Sequence, residues 1–128
     1  MAKALVLALA LSVGCGGQGS ALPPPTNGLP DNDPVLAHRL VAAGALLLDV
    51  RTNAEYADRH IEGAANIPVD ELAGRSADLE KLTGGDRSRP IVVYSRRGNR
   101  ASRAKELLLG AGYRQVSILG GIEDWYRQ

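Results

Sequence analysis

The sequence predicts an α/β fold, a single domain whose mainly parallel β-sheet is flanked by helices on both faces. Three observations lead there. The aliphatic runs Leu46-Leu47-Leu48, Ile91-Val92-Val93-Tyr94 and Val116 to Leu119 lack polar alternation, as strands covered on both sides do. Amphipathic segments with helical start and stop residues lie between these runs. Short strands alternating with helices imply right-handed crossovers and parallel pairing.

In chain order, Asp33-Pro34 is a helix start, with Asp as the cap and Pro at the first position, where its missing N–H costs nothing. That helix runs to Ala43 with Leu36, Leu40 and Val41 on one face, and Gly44 stops it. The strand Leu46-Leu47-Leu48 follows and ends in Asp49-Val50-Arg51. Asn53 is read as the cap of a short helix through Asp58, and Ala65-Asn66-Ile67 as a short strand closed by Pro68. Asp70 to Leu82 holds Leu72, Leu79 and Leu82 in one or two amphipathic turns, broken by Gly84-Gly85. Ile91 to Tyr94 is the clearest buried strand. Ser95 to Arg100 is a loop, and Ala101 to Ala111 a helix stopped by Gly112. Val116 to Leu119 is the last strand, Gly120-Gly121 a turn, and Ile122 to Arg127 a final helix. No internal repeat is present.

A length of 128 residues gives room for one small domain and an N-terminal appendage. With no Phe and one Trp, the core must be aliphatic. A net charge of +1 offers no bulk field for nucleic acid, so no nucleic-acid partner is expected and anion affinity must come from local clustering. Cys15 is the sole cysteine, which rules out an intramolecular disulfide and a multi-cysteine metal site. Two histidines, His38 and His60, are too few for zinc without carboxylate help. Neither a metal nor a cofactor is expected.

The N-terminus reads as a targeting segment. Lys3 supplies a positive start, and Ala4 to Val13 is an apolar run too short for a bilayer, which needs about 20 residues. Residues 1–14 are read as a signal peptide. Cys15 after the small Gly14 resembles the lipidated cysteine of bacterial lipoproteins, although Ser12 stands where those usually carry Leu. The resemblance implies an exported protein, periplasmic or on the outer surface, membrane-anchored by lipid at Cys15. The alternative is ordinary cleavage a few residues later and a soluble secreted protein. Removal of residues 1–14 leaves fourteen basic and fourteen acidic side chains. Residues 16–33 hold four glycines and four prolines and are read as a flexible tether. Residues 34–128 form the domain.

The segment Tyr94 to Ser102 joins the best strand to the best helix, at the carboxyl end of the sheet where open α/β folds bind ligands. Gly98 lets the chain curl, successive N–H groups point inward, and a helix beginning near Asn99 adds its positive end. Arg96, Arg97, Arg100 and Arg103 add four cations within eight residues. A group at position 95 sits at the bottom of a cationic cradle suited to a thiolate, a persulfide or an oxyanion.

From Leu36 to Trp125 the chain resembles a single-domain rhodanese, the thiosulfate sulfurtransferase family. Leu47-Leu48-Asp49-Val50-Arg51 with Glu55-Tyr56 resembles the family's first signature, and His60 to Pro68 its second. The active-site loop of that family is a cysteine, four residues and an arginine. Ser95-Arg96-Arg97-Gly98-Asn99-Arg100 matches it everywhere but at the first position. Gly120-Gly121-Ile122 with Trp125 resembles the C-terminal signature. The resemblance implies anion binding by Arg96, Arg97, Gly98, Asn99 and Arg100, with Arg100 turned toward the anion and mattering most. Asp49, Arg51 and His60 would support the site. Each also has a plain structural reading: Asp49 and Arg51 as a pair at a strand end, His60 as a hydrogen-bonded structural histidine, Trp125 as core packing.

Serine at position 95 changes the chemistry the family implies. Rhodaneses carry sulfur as a persulfide on a low-pKa cysteine thiolate. A serine hydroxyl is not ionised near neutrality without a base, and oxygen forms no stable counterpart of the persulfide. Three readings follow. The first is a non-catalytic module that binds a small, thiosulfate-like oxyanion or a protein partner. The second is sulfur transfer itself, were Ser95 an engineered replacement of a native cysteine. The third is a hydrolase with Ser95 as nucleophile, since cell-cycle dual-specificity phosphatases share this fold. Their loop, however, is one residue longer and holds a cysteine.

Overall fold

The computed structural model describes residues 29–127. Cys15, the signal segment and most of the tether lie outside the described residues. A four-stranded, all-parallel sheet organises the domain. Its strands are β1 (Leu46–Asp49), β2 (Ala65–Asn66), β3 (Ile91–Ser95) and β4 (Val116–Gly121), in the spatial order β2-β1-β3-β4. The helices are α1 (Pro34–Ala42), α2 (Asn53–Asp58), α3 (Ser76–Thr83) and α4 (Asn99–Gly110), with 3-10 turns at Val69–Gly74 and Ile122–Tyr126.

Alternation along each strand sends neighbouring side chains to opposite faces. Leu46, Leu48, Ile91, Val93, Val116 and Ile118 pack with Leu79 of α3 and Ala101, Ala104 and Leu108 of α4. On the other face, Leu47, Val92, Tyr94 and Leu119 pack with Ala37 of α1, Ile61 and Ile122. The sheet is therefore covered on both sides, which accounts for its unbroken aliphatic runs. The α/β architecture expected from sequence is the one observed.

Local chemistry explains the boundaries. The Asp33 carboxylate accepts from the Leu36 amide at 3.0 Å and caps α1, with Pro34 at its first position. Three local expectations need correction. Thr52, not Asn53, caps α2. Its hydroxyl accepts from the Glu55 amide while the Glu55 carboxylate accepts from the Thr52 amide, a reciprocal capping box. The stretch expected as Asp70 to Leu82 divides into the 3-10 turn and α3. Gly120-Gly121 is the end of β4 rather than a turn. Here β4 presses so closely on the β3–α4 loop that a Cβ at Gly121 would lie 2.6 Å from the Arg96 carbonyl oxygen. Glycine is the residue that lets the strand continue past the loop.

The tether, expected to reach residue 33, ends earlier. Leu29 donates its N–H to the Val116 carbonyl at 3.1 Å and Asn32 donates to Ile118 at 2.7 Å, so this segment runs parallel to β4 along its free edge. The Ser117 hydroxyl donates to the Pro30 carbonyl at 2.7 Å. One oxygen of Asp31 accepts from the Ile118 amide at 2.9 Å and from Lys105 of α4 at 2.7 Å, and Lys105 also donates to the Leu29 carbonyl. Composition suggested a linker, but hydrogen bonding to the exposed strand edge holds the chain in place.

Asp31→Ala should therefore leave the largely buried Lys105 ammonium with a carbonyl only, and the Ile118 amide with no acceptor. We expect a loss of roughly 2 kcal/mol in urea unfolding. Glu106→Ala, an exposed change on the same helix, should stay within about 0.5 kcal/mol. Equal effects of the two would show that the clasp contributes nothing.

Candidate functional site

At the carboxyl ends of β1 and β3 the structure gathers most of the residues picked out from sequence. Ser95 is the last residue of β3 and is buried. Its Oγ accepts from the Gly98 amide at 3.0 Å and from the Ala101 amide at 3.2 Å. Gly98 makes the curl possible at φ 105°, in the left-handed region, and a Cβ there would press on Gly120 at 3.4 Å. Gly98 occupies the cap position of α4 and brings no side chain, so the serine hydroxyl, three residues earlier, satisfies the orphan amide at the third helical position. The amides of Asn99 and Arg100, first in α4, have no intrahelical acceptor by position. The cradle is thus half filled from within. Among the described residues Ser95 Oγ meets amide donors alone, and neither histidine lines the depression above it.

That depression, of about 250 Å³, is lined by Ser95, Arg96, Arg97, Asn99 and Arg100. Among the four arginines, two are spoken for. Arg103 leaves the cradle and pairs with Asp70 at 2.8 Å. The resemblance implies an Arg100 aimed into the loop, but the structure pairs it with a carboxylate. Its guanidinium grips Glu55 of α2 in two parallel bonds of 2.7 and 3.0 Å. An arginine in the first turn of a helix faces the positive end of the dipole, and the Glu55 carboxylate relieves both charges. Arg96 and Arg97 are exposed and, among the described residues, have no carboxylate partner.

Glu55 was missed as a site residue. Its carboxyl is held down at about 2, first by the hydrogen bond from Arg100 and then by the Thr52 amide and hydroxyl, against the opposing effect of burial. The T-x-x-E spacing announces the capping box. The partner 45 residues away has no local signal.

Asp49 and Arg51 form a pair at the end of β1, as the structural reading had it. Asp49 is fully buried, and its carboxylate accepts the Arg51 amide at 2.8 Å, Nε at 3.0 Å and Nη2 at 2.6 Å. Burial alone would lower the Arg51 pKa, but the hydrogen bonds and charge of Asp49 leave it raised. Arg51 also donates to the Arg59 carbonyl at 2.5 Å. Beneath it lies Tyr94, its ring 5.7 Å from the guanidinium, its hydroxyl accepting from the Ile61 amide. Burial raises that phenol above its ordinary range. His60 is exposed, donates Nδ1–H to the Tyr56 carbonyl at 2.8 Å and stacks on the Tyr56 ring. These contacts are structural. Trp125 stacks on His38, with ring centroids 3.6 Å apart.

A buried residue at the tip of β3, a glycine-curled loop and a helix start on a four-stranded parallel sheet define the site of a rhodanese-type domain. The chain belongs to the rhodanese-like family: residues 33–128 match the Rhodanese-like domain. It is similar to the thiosulfate sulfurtransferase PspE of Escherichia coli (strain K12), 35% identical over 77 residues that cover 60% of this chain and 70% of the relative. It is also similar to the thiosulfate sulfurtransferase GlpE of Pseudomonas entomophila, 36% identical over 95 residues, covering 72% and 80%. Among solved structures it resembles the human single-domain sulfurtransferase TSTD1, with a TM-score of 0.62 at 27% identity, covering 80% of this chain and 96% of that one. A rhodanese with anions from E. coli gives 0.56 at 33% identity, covering 63% and 91%.

The ion pair between α2 and α4 predicts a pH signature. The depressed Glu55 contributes stability that is fully present above its ordinary value of 4.5 and is lost as pH falls through about 2. Glu55→Gln should be less stable than the parent at pH 7, and the gap should shrink between about pH 4.5 and 2. Urea midpoints across that range measure it. A gap that does not change with pH would mean that the carboxylate charge contributes nothing.

Proposed function

We propose that the protein is a non-catalytic rhodanese module of the cell envelope that binds small oxyanions of the thiosulfate type. The observation behind this is the buried Ser95 hydroxyl, fixed between the Gly98 and Ala101 amides where the family keeps its cysteine. It cannot hold a persulfide, and neither histidine lines the depression above it. The related PspE and GlpE are named thiosulfate sulfurtransferases, which makes thiosulfate the first ligand to try. The two helix-terminal amides that stay open and the exposed Arg96 and Arg97 supply the attraction. One charge near a helix start is worth about 0.3–1 kcal/mol, so binding should be weak and sensitive to salt. Because Glu55 neutralises Arg100, the dependence on Arg96 and Arg97 should exceed that on Arg100.

Location at the envelope rests on Lys3, the apolar run to Val13 and Cys15. Mass spectrometry of the mature N-terminus tests it. A diacylglyceryl cysteine at position 15 is the expected start, an unmodified start beyond it means a secreted soluble protein, and retention of Met1 or Ala2 excludes export.

For the chemistry, the full chain should show no thiosulfate:cyanide sulfurtransferase activity above background, and Ser95→Cys should gain it. Turnover by the serine form would sink the non-catalytic reading. Silence from both forms would mean that the loop lacks a competent cradle as well as the sulfur.

A further inference from the structure

Beside the depression over Ser95 lies a larger cleft of about 650 Å³, between the end of α2, the Arg96–Arg97 stretch and the C-terminal 3-10 turn. A volume in the range of about 300–1,000 Å³ accommodates a ligand of drug or short-peptide size, well beyond a single tetrahedral oxyanion. Apart from Gly121 and Ile122 its lining is charged, and most of those charges are already paired. Arg51 is tied to Asp49, Arg59 to Glu123 at 2.6 Å and Arg127 to Asp124 at 3.2 Å. These pairs form walls already neutralised. Arg96 and Arg97 also line the cleft, and among the described residues neither has a carboxylate partner. Asp58 is the unpaired carboxylate set against them, so the uncompensated charge of the cleft is net positive and carried by two adjacent loop residues.

We propose, building on the reading of the Ser95 loop as a binding module, that this cleft docks an acidic peptide segment whose neighbouring carboxylates are held by Arg96 and Arg97. The lining selects against other anions of that size. No aromatic ring lines the cleft, so a nucleotide base has nothing to stack on. Tyr126, near the rim, is engaged by the Arg59 guanidinium 5.0 Å from its ring. Asp58, a lining carboxylate without an ion-pair partner among the described residues, opposes a uniform polyanion such as polyphosphate. A peptide concentrates negative charge at two side chains and offers neutral amides elsewhere, which suits such a lining. Each guanidinium presents a planar fork that a carboxylate fits in two parallel hydrogen bonds.

Amide NMR titration of the full chain with Ac-Gly-Glu-Glu-Gly-NH2, its Gln-Gln counterpart, ADP and thiosulfate tests this. The Glu-Glu peptide should shift Asp58, Arg96, Arg97 and Ile122, and the Gln-Gln peptide should shift none. Arg97→Gln should weaken the Glu-Glu peptide about threefold and the Arg96→Ala/Arg97→Ala pair about tenfold, the scale of exposed ion pairs. Absence of peptide shifts, unchanged affinity in both variants, or tighter binding of ADP would each overturn the proposal. Thiosulfate keeps the two readings apart. Shifts from Ser95 to Ala101 with a silent peptide would defeat the peptide site alone, and the reverse would defeat the oxyanion reading alone.

Discussion

Two charges are held out of water at the end of β1, and the geometry of this pole follows from how they are satisfied. Asp49 accepts three donors from Arg51, and Arg51 also donates Nη2–H to the Arg59 carbonyl at the far end of α2. Asn66 donates to the carbonyls of both Asp49 and Arg51 and ties β2 to the same turn. A buried pair of this kind contributes little net stability against an apolar alternative, but breaking it is expensive. Its consequence here is positional. The β1–α2 connection has one arrangement, α2 starts at Thr52, and Glu55 stands where Arg100 can reach it. The loop around Ser95 is thus supported from a strand two residues wide in its pairing and a helix of six residues.

That support bears on a loop whose buried residue is a neutral hydroxyl. A thiolate in the cradle is drawn to the amides and the helix dipole, which lower its pKa. A neutral hydroxyl of similar reach satisfies two amides by hydrogen bonding and no more. The loop keeps its fold while the electrostatic demand falls, and the demand that remains is met by Glu55 on Arg100 and by Asp70 on Arg103. Of the four arginines around the loop, Arg96 and Arg97 stay uncompensated among the described residues, and both are exposed.

How much of this was legible in the sequence depended on the range of the interaction. The strands were readable because both faces of the sheet are covered and their residues are uniformly aliphatic, as at Ile91 to Tyr94. The start of α1 was readable because Asp33 and Pro34 act on their own neighbours. Asn53 was taken for the cap because Asn is a good one, whereas the reciprocal bonds of Thr52 and Glu55 decide the matter. Gly120-Gly121 was read as punctuation because glycine pairs usually are. The crowding by Arg96 that requires glycine at position 121 comes from 25 positions earlier, and a Cβ at Gly120 would meet the Asp124 carboxylate. The aim of Arg100 was carried over from a family that needs it on a ligand, and nothing local reveals the distant carboxylate that takes it. Residues 29–33 looked like linker by composition, because the strand edge and Lys105 that hold them are invisible to a window of that size.

The clasp at residues 29–32 fixes a direction as well as an edge. Leu29 lies against Val116, the first residue of β4, and Asn32 against Ile118, so the chain enters at the amino end of the parallel strands. Ser95, Arg96 and Arg97 lie at the carboxyl end. A strand of six residues at about 3.3 Å each separates the two ends. Attachment through the N-terminal segment, such as the lipid at Cys15 proposed above, would therefore pull on one pole and leave the charged loop at the other. A chain that entered freely at Asp33 would pivot about a single point. A chain bonded along the sheet edge through Asp31 and Lys105 transmits its direction to the whole domain. The Asp31–Lys105 ion pair is thus also the element that fixes the entry of the chain at the pole opposite the Ser95 loop.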